Sequence, residues 1–183
     1  MTPQKTNGAW RNRLIGFVIA AAIYWLDQWI KGLVIGAWAL PDVRVIELLP
    51  FFDLRWTQNF GVSLGMFTAD SPEMRWGLVA VTAMIAMVVF VWMLRERLLA
   101  DILGLALILG GALGNIKDRY TWGYVIDYAD FHIGTFRPFL IFNVADACIT
   151  IGVLIILARA LFMREKPAAS QADRPVEPTA ENS

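Results

Sequence analysis

Four stretches of the chain run for close to the ~20 mostly apolar residues that a helix needs to cross a bilayer core. The most uniform covers 76–94, bracketed by Arg75 and Arg95, with Trp76 and Trp92 where interfacial aromatics sit. The first, predicted over 14–35, is uncharged through 14–26 and then takes in Asp27 and Lys31. The third, over 98–116, has Asp101 near its start and carries Gly104, Gly110, Gly111 and Gly114, small residues that let helices approach closely. The fourth, over 139–163, contains Asn143 and Asp146. Between them, 41–75 alternates roughly in hydrophobicity through Val43, Val45, Phe51, Phe52, Leu54 and Trp56, which predicts short strands and a small sheet at the membrane surface. The segment 120–138 is aromatic-rich and extended over 124–128. The expected fold is a mainly α membrane protein: a four-transmembrane-helix bundle with a small β-sheet, formed by one integral-membrane domain over 14–163. Residues 1–13 form a flank, and 164–183, rich in Pro, Ala, Ser and Glu, form a disordered tail.

Composition agrees with this pattern. Of 183 residues, 57% are hydrophobic and 17% charged, against about 45–50% and about 25% in soluble domains. The 16 basic and 16 acidic residues cancel, and no Lys/Arg block offers nucleic acid an electrostatic footprint. Cys148 is the only cysteine and His132 the only histidine, which excludes an intramolecular disulfide and a Cys/His zinc cage; no cofactor is implied. A cleaved signal peptide competes for the N-terminus, with Ala37-Trp38-Ala39 as its cleavage site. Asp27, Gln28 and Lys31 put too much polar chain before that site, and three more spans follow.

Four spans place both termini and the Arg95–Arg97 turn on one side, with eight Lys/Arg against seven on the other. Only Glu96, Asp101 and Glu165 dilute the first group, so both termini are expected in the cytoplasm, and 41–75 and 120–138 outside it.

Ionisable groups inside a span are costly unless paired, which makes each a functional candidate. Asp27 and Lys31, four apart, share a helix face and either brace the helix against the sheet or serve a site. Asn115 and Arg119 have the same spacing, and Asn143 and Asp146, three apart, share a face about a turn inside the same membrane surface. The topology lets Asp127 fold back beside Asp146. Two close carboxylates cannot both ionise, so one serves as general acid while the other activates water. The open alternative is that Asp127 is a solvated loop carboxylate and Asp146 pairs with Arg119. Ser63 with Lys31 or His132 lacks supporting local context for a nucleophilic dyad, and Asn59-Phe60-Gly61 with Gly65 reads as a tight turn. A transporter or proton relay would use the same carboxylates but should spread charge through the full membrane depth. A binding protein without catalysis would tolerate loss of either carboxylate.

Three motifs in order, Gly110-Gly111-Ala112-Leu113-Gly114-Asn115-Ile116-Lys117-Asp118-Arg119, Gly123-Tyr124-Val125-Ile126-Asp127-Tyr128 and Phe142-Asn143-Val144-Ala145-Asp146, closely resemble the lipoprotein signal peptidase (signal peptidase II) family. Asp27-Gln28 with Lys31, and Asn59-x-Gly61, resemble it too, so the likeness covers about 14–163. The resemblance implies an aspartic endopeptidase of the bacterial inner membrane, active near the periplasmic surface. It would cut the signal peptide from prolipoproteins just before a diacylglyceryl cysteine, with membrane lipids as further partners and the monomer as the unit. It implies Asp127 and Asp146 as the catalytic pair, with Asp27, Lys31, Asn59, Gly61, Asn115, Arg119, Asn143 and Ala145 supporting the site or positioning substrate, and the 120–138 loop closing over it. Lys117 stands where the family usually has an apolar residue, Tyr128 where it has Phe, and Ser63-Leu64 where Ala-Phe is common.

Overall fold

A computed structural model of the chain describes residues 6–61 and 72–162. Ser63, Leu64, Gly65, Lys5 and the 164–183 tail lie outside the described residues. In chain order the elements are α1 (Thr6–Ile35), α2 (Leu40–Val43), β1 (Val45–Leu49), β2 (Phe52–Asn59), α3 (Pro72–Arg95), α4 (Leu99–Trp122), β3 (Val125–Phe131) and α5 (Val144–Phe162). Four of the helices, α1, α3, α4 and α5, are long and apolar enough to cross a membrane, and the chain is a multi-pass membrane protein.

The helix ends differ from the hydropathy pattern for local reasons. α1 starts at Thr6, ahead of position 14, because its polar first turns are anchored. Asn12 Nδ2 donates to the Arg97 carbonyl (3.0 Å) and Arg13 Nε to the Glu96 carbonyl (3.1 Å) in the α3–α4 connection. α4 continues past 116 to Trp122 because its polar last turns face protein, and it ends where Gly123 takes a left-handed φ of 88° and donates to the Arg119 carbonyl. α5 starts five residues later than 139. Phe142 is drawn into a bridge with Ala129 instead (N–H to carbonyl, 2.8 and 3.1 Å), which leaves Asn143 as the residue before the helix.

α4 is the centre of the bundle. It packs against α5, α1 and α3, whereas no comparable interface joins α3 to α5 among the described residues. Its glycines make this possible. A Cβ on Gly111 would stand 2.5 Å from the Ala145 carbonyl oxygen, and one on Gly114 would stand 2.5 Å from Asp27 Oδ2. The close approach is thus built into the α4 face predicted to permit it. Ala20, Ala86, Met93, Ile102, Leu105 and Leu109 fill the interior of the bundle.

The sheet is antiparallel in the order β1-β2-β3. The expected strands of 41–75 appear as the β1–β2 pair, although Val43 lies in α2 and Phe51 in the turn between the strands. The stretch around 124–128 is neither a free loop nor a cover. It is β3, paired along β2 from Phe52↔Phe131 to Asn59↔Val125, with a register shift between Leu54 and Thr57. Leu54, Ile126 and Ala129 pack on Val34 and Leu40 at the end of α1 and in α2. The sheet is therefore fixed to the bundle at one end.

Gly111→Val is expected to lower the unfolding temperature in detergent, because overpacking an interior typically costs about 1–3 kcal/mol. Gly32→Ala, whose Cβ would meet nothing within 4 Å, should leave it unchanged.

Candidate active site

Burying a charge is affordable only with partners, and at the sheet end of the bundle each buried charge but one has them. Lys31, on the last turns of α1, is fully enclosed. Its Nζ lies 2.9 Å from Asp27 Oδ2, 2.7 Å from Asp118 Oδ2 and 3.2 Å from Asn115 Oδ1. Asp27 turns its other oxygen to the N–H of Ala145 in the first turn of α5 (3.1 Å), where the helix dipole favours an anion. Asp118 accepts from the N–H of Ile126 on β3 (3.2 Å) and, through its other oxygen, from Gln28 Nε2 (3.0 Å). One ammonium thus ties α1, α4, β3 and α5 together.

Next to this network lie two more carboxylates. Asp127, on β3 opposite Thr57, is 1% exposed. Its Oδ2 accepts from Asn59 Nδ2 (3.0 Å) and its Oδ1 from Asn143 Nδ2 (2.6 Å). Asn59 is held for this by its own oxygen, which takes the N–H of Gly61 (2.8 Å) in a turn whose φ of 93° at Gly61 favours glycine. Asp146 and Asn143 cap α5 reciprocally. Asn143 Oδ1 accepts from the Asp146 N–H (2.9 Å), and Asp146 Oδ2 accepts from the Asn143 N–H (3.4 Å). Asp146 Oδ1 accepts from Asn115 Nδ2 (2.7 Å). Asn143 therefore touches both carboxylates, and Asn115 links Asp146 to Lys31.

Asp127 lies outside the membrane spans. Its burial, reinforced by the Asp146 charge, pushes its carboxyl up to about 7, although hydrogen bonds from Asn59 and Asn143 favour the charged form. Asp146 is less buried and lines an apolar cavity of about 380 Å³ with Phe131, Phe139, Leu140, Phe142 and Thr150.

All ten predicted site residues belong to this region, with two changes of role. Asn143 is the cap of α5 rather than a residue within its face, since Asn before a helix satisfies free N–H groups better than Asn inside one. Arg119, expected to orient or pair with a carboxylate, makes no ion pair among the described residues. Its guanidinium lies beside Gly61, and its Nε is buried without a hydrogen-bond partner. Sequence reasoning missed two groups. Asp118 sits three residues after Asn115 on the polar turn that hydropathy had cut from α4; its spacing to Asn115 was the available signal. Asp130, also on β3, is fully buried between Arg55 (2.8 Å) and Arg137 (3.0 Å). Burial opposes its charge, yet hydrogen bonds from both arginines hold its carboxyl below the ordinary value. Nothing in local sequence pairs these three, and they fix the strand that carries Asp127. Among the described residues, no group of three or more His, Cys, Asp or Glu is placed to hold a metal ion.

A membrane-spanning bundle that holds a buried and a half-buried carboxylate on one asparagine, beside a small sheet, falls in the class of membrane-embedded peptidases. Residues 19–162 match the family model for signal peptidase (SPase) II, and the chain belongs to that family. It is 55% identical over 158 residues to a lipoprotein signal peptidase of Sphingopyxis alaskensis, covering 86% of this chain and 90% of that one. It is 52% identical over 154 residues to a lipoprotein signal peptidase of Rhizorhabdus wittichii, with coverage of 84% and 90%. A bacterial membrane enzyme structure obtained by the in meso method at 1.9 Å resolution superposes with a TM-score of 0.70 at 27% identity, covering 82% of this chain and 94% of that chain.

The raised Asp127 pKa sets a pH dependence of stability. Between about 4 and about 7 the folded state holds a proton that the unfolded state releases, so this group's contribution falls as pH rises through that window. The drop in unfolding temperature from pH 4 to pH 8, measured in detergent, should be smaller in Asp127→Asn than in the unaltered chain.

Proposed function

We propose that Asp127 and Asp146 are the catalytic pair of this peptidase, which removes the signal peptide from diacylglyceryl-modified prolipoproteins by cutting just before the lipidated cysteine. The observation that carries the reading is the Asn143 bridge, whose side-chain amide donates to the Asp127 carboxylate and whose backbone N–H donates to that of Asp146, while Asn59 and Asn115 each hold one carboxylate from the other side. Burial and the neighbouring charge favour a proton on Asp127. In that state Asp146 takes a proton from water as the water oxygen attacks the scissile carbonyl carbon. Asp127 gives its proton to the carbonyl oxygen in that step; the tetrahedral carbon then expels the amine of the cysteine, whose nitrogen takes the C–N electron pair and the proton held by Asp146, while the hydroxyl returns a proton to Asp127 as the carbonyl reforms. Arg119, with a donor unspent among the described residues, positions the substrate main chain. Asp27, Lys31 and Ala145 hold α1 against the first turn of α5. The apolar cavity beside Asp146 receives the hydrocarbon part of the substrate.

The rival reading, a proton relay, fits poorly: from Ile102 to Ile116 the central helix carries no charged residue between the Asp101–Arg159 pair and the Lys31 network. We further place the enzyme in the bacterial inner membrane as a monomer. Its domain covers 14–163, both termini face the cytoplasm, and the sheet, with 41–75 and 120–138, faces the periplasm.

In a cleavage assay with a diacylated prolipoprotein peptide, Asp127→Asn and Asp146→Asn should each lose at least about 10²–10⁴-fold in rate. Retained turnover in either would refute the pair. The unaltered enzyme should give a pH–rate profile with two apparent pKa values that belong to the pair, and a flat profile would count against a shared proton. A topology reporter fused after Lys166 should read as cytoplasmic.

A further inference from the structure

A second cavity, of about 570 Å³, opens to the lipid on the other side of the central helix, between α1, α3 and α4. Leu109, Leu113 and Ile116 of α4 form its floor, with Ala21 and Trp25 of α1 and Ala83 of α3 along its walls. Phe17 and Phe90, ring centroids 5.9 Å apart, close it at the end remote from the sheet. Lys117 follows Leu113 by one helical turn on the same face, just past the cavity at its sheet end, and Trp76 and Tyr120 (5.8 Å, edge contact) lie toward that end of α3 and α4.

Lys117 is exposed and has no ion pair or hydrogen bond among the described residues, although it lies inside the span Leu99–Trp122. An ammonium at that depth calls for a counter-charge. From Leu109 to Lys117 the helix runs about 12 Å at the helical rise. That is close to the hydrocarbon depth of one leaflet, about 15 Å. An apolar channel of leaflet depth, closed by aromatics at its inner end and capped by an unpaired cation at the interface, matches one kind of molecule in both shape and charge.

We propose that this groove is a binding site for one anionic phospholipid of the leaflet on the sheet side, with an acyl chain lying along Leu109–Ile116 and the headgroup phosphate paired with Lys117. It lies on the α1–α3 side of α4, away from the cavity beside Asp146, and does not depend on the assignment of the catalytic pair. The lipid fills a gap that α1 and α3 leave open and thereby braces both against α4.

The test is native mass spectrometry of the full chain released from vesicles containing equal parts phosphatidylglycerol and phosphatidylcholine. The unaltered protein should retain one phosphatidylglycerol in preference to phosphatidylcholine by about fivefold, the factor that one lysine near an anionic lipid supplies. Lys117→Leu should abolish the preference, and Lys117→Arg should keep it. Ala83→Phe, which fills the groove without touching the charge, should reduce retention of either lipid. Prolipoprotein cleavage by each variant reports folding, since none of these residues belongs to the proposed catalytic machinery. Equal retention of the two lipids by the unaltered chain, or an unchanged ratio in Lys117→Leu, would overturn the headgroup assignment. Undiminished retention in a folded Ala83→Phe variant would overturn the groove.

Discussion

The sheet end of this protein depends on the ammonium of Lys31. Asp27 and Asp118 are almost completely excluded from solvent, and neither could carry charge in a low-dielectric interior without a cation between them. Both also accept from backbone N–H groups, Asp27 from α5 and Asp118 from β3, the two elements that hold Asp146 and Asp127. The geometry of one carboxylate pair is therefore set by the neutralisation of another. Loss of Lys31 would leave two buried anions and release α1, α4, α5 and the sheet from one another. A buried ion pair is weak evidence for net stability, but here it fixes a single arrangement of four elements.

Around this anchor the site is built mainly from amides. A carboxylate that must change protonation state needs neighbours that are polar but not fully charged, since a strong cation in contact would hold it ionised. Asn59, Asn115 and Asn143 each satisfy lone pairs without adding charge, while burial and the mutual repulsion of the two carboxylates raise the affinity of Asp127 for a proton. The nearby arginine, Arg119, is held beside Gly61 and makes no ion pair among the described residues. Farther out on β3 the opposite arrangement holds. Asp130 lies between two guanidinium groups and stays charged, because its task is to hold the strand in place.

The four spans and the glycine-lined helix contacts were legible because hydropathy over some twenty residues and small-residue spacing are properties of local sequence. Helix ends were not. Asp118 looks like an exposed residue past a span until Lys31, far away in sequence, makes that turn interior. The start of α5 was obscured by apolar residues 139–142, which read as membrane but lead into the bridge of Phe142 with Ala129 on β3. Asp127 and Asp146 could be brought together by topology alone. The bridging role of Asn143 depended on recognising it as a cap, and the Asp130 cluster depended on a sheet register that no local pattern specifies.

Because α3 and α5 both lean on α4, with no comparable interface between them among the described residues, the bundle has an opening that faces sideways into the bilayer. A chain already threaded through the membrane can approach by lateral diffusion, sampling a plane instead of a volume. It need not surrender its hydrophobic solvation to reach the carboxylates, and the released segment can leave by the same route. For such a protein the bilayer is both solvent and corridor, and the gap between two helices serves as its door.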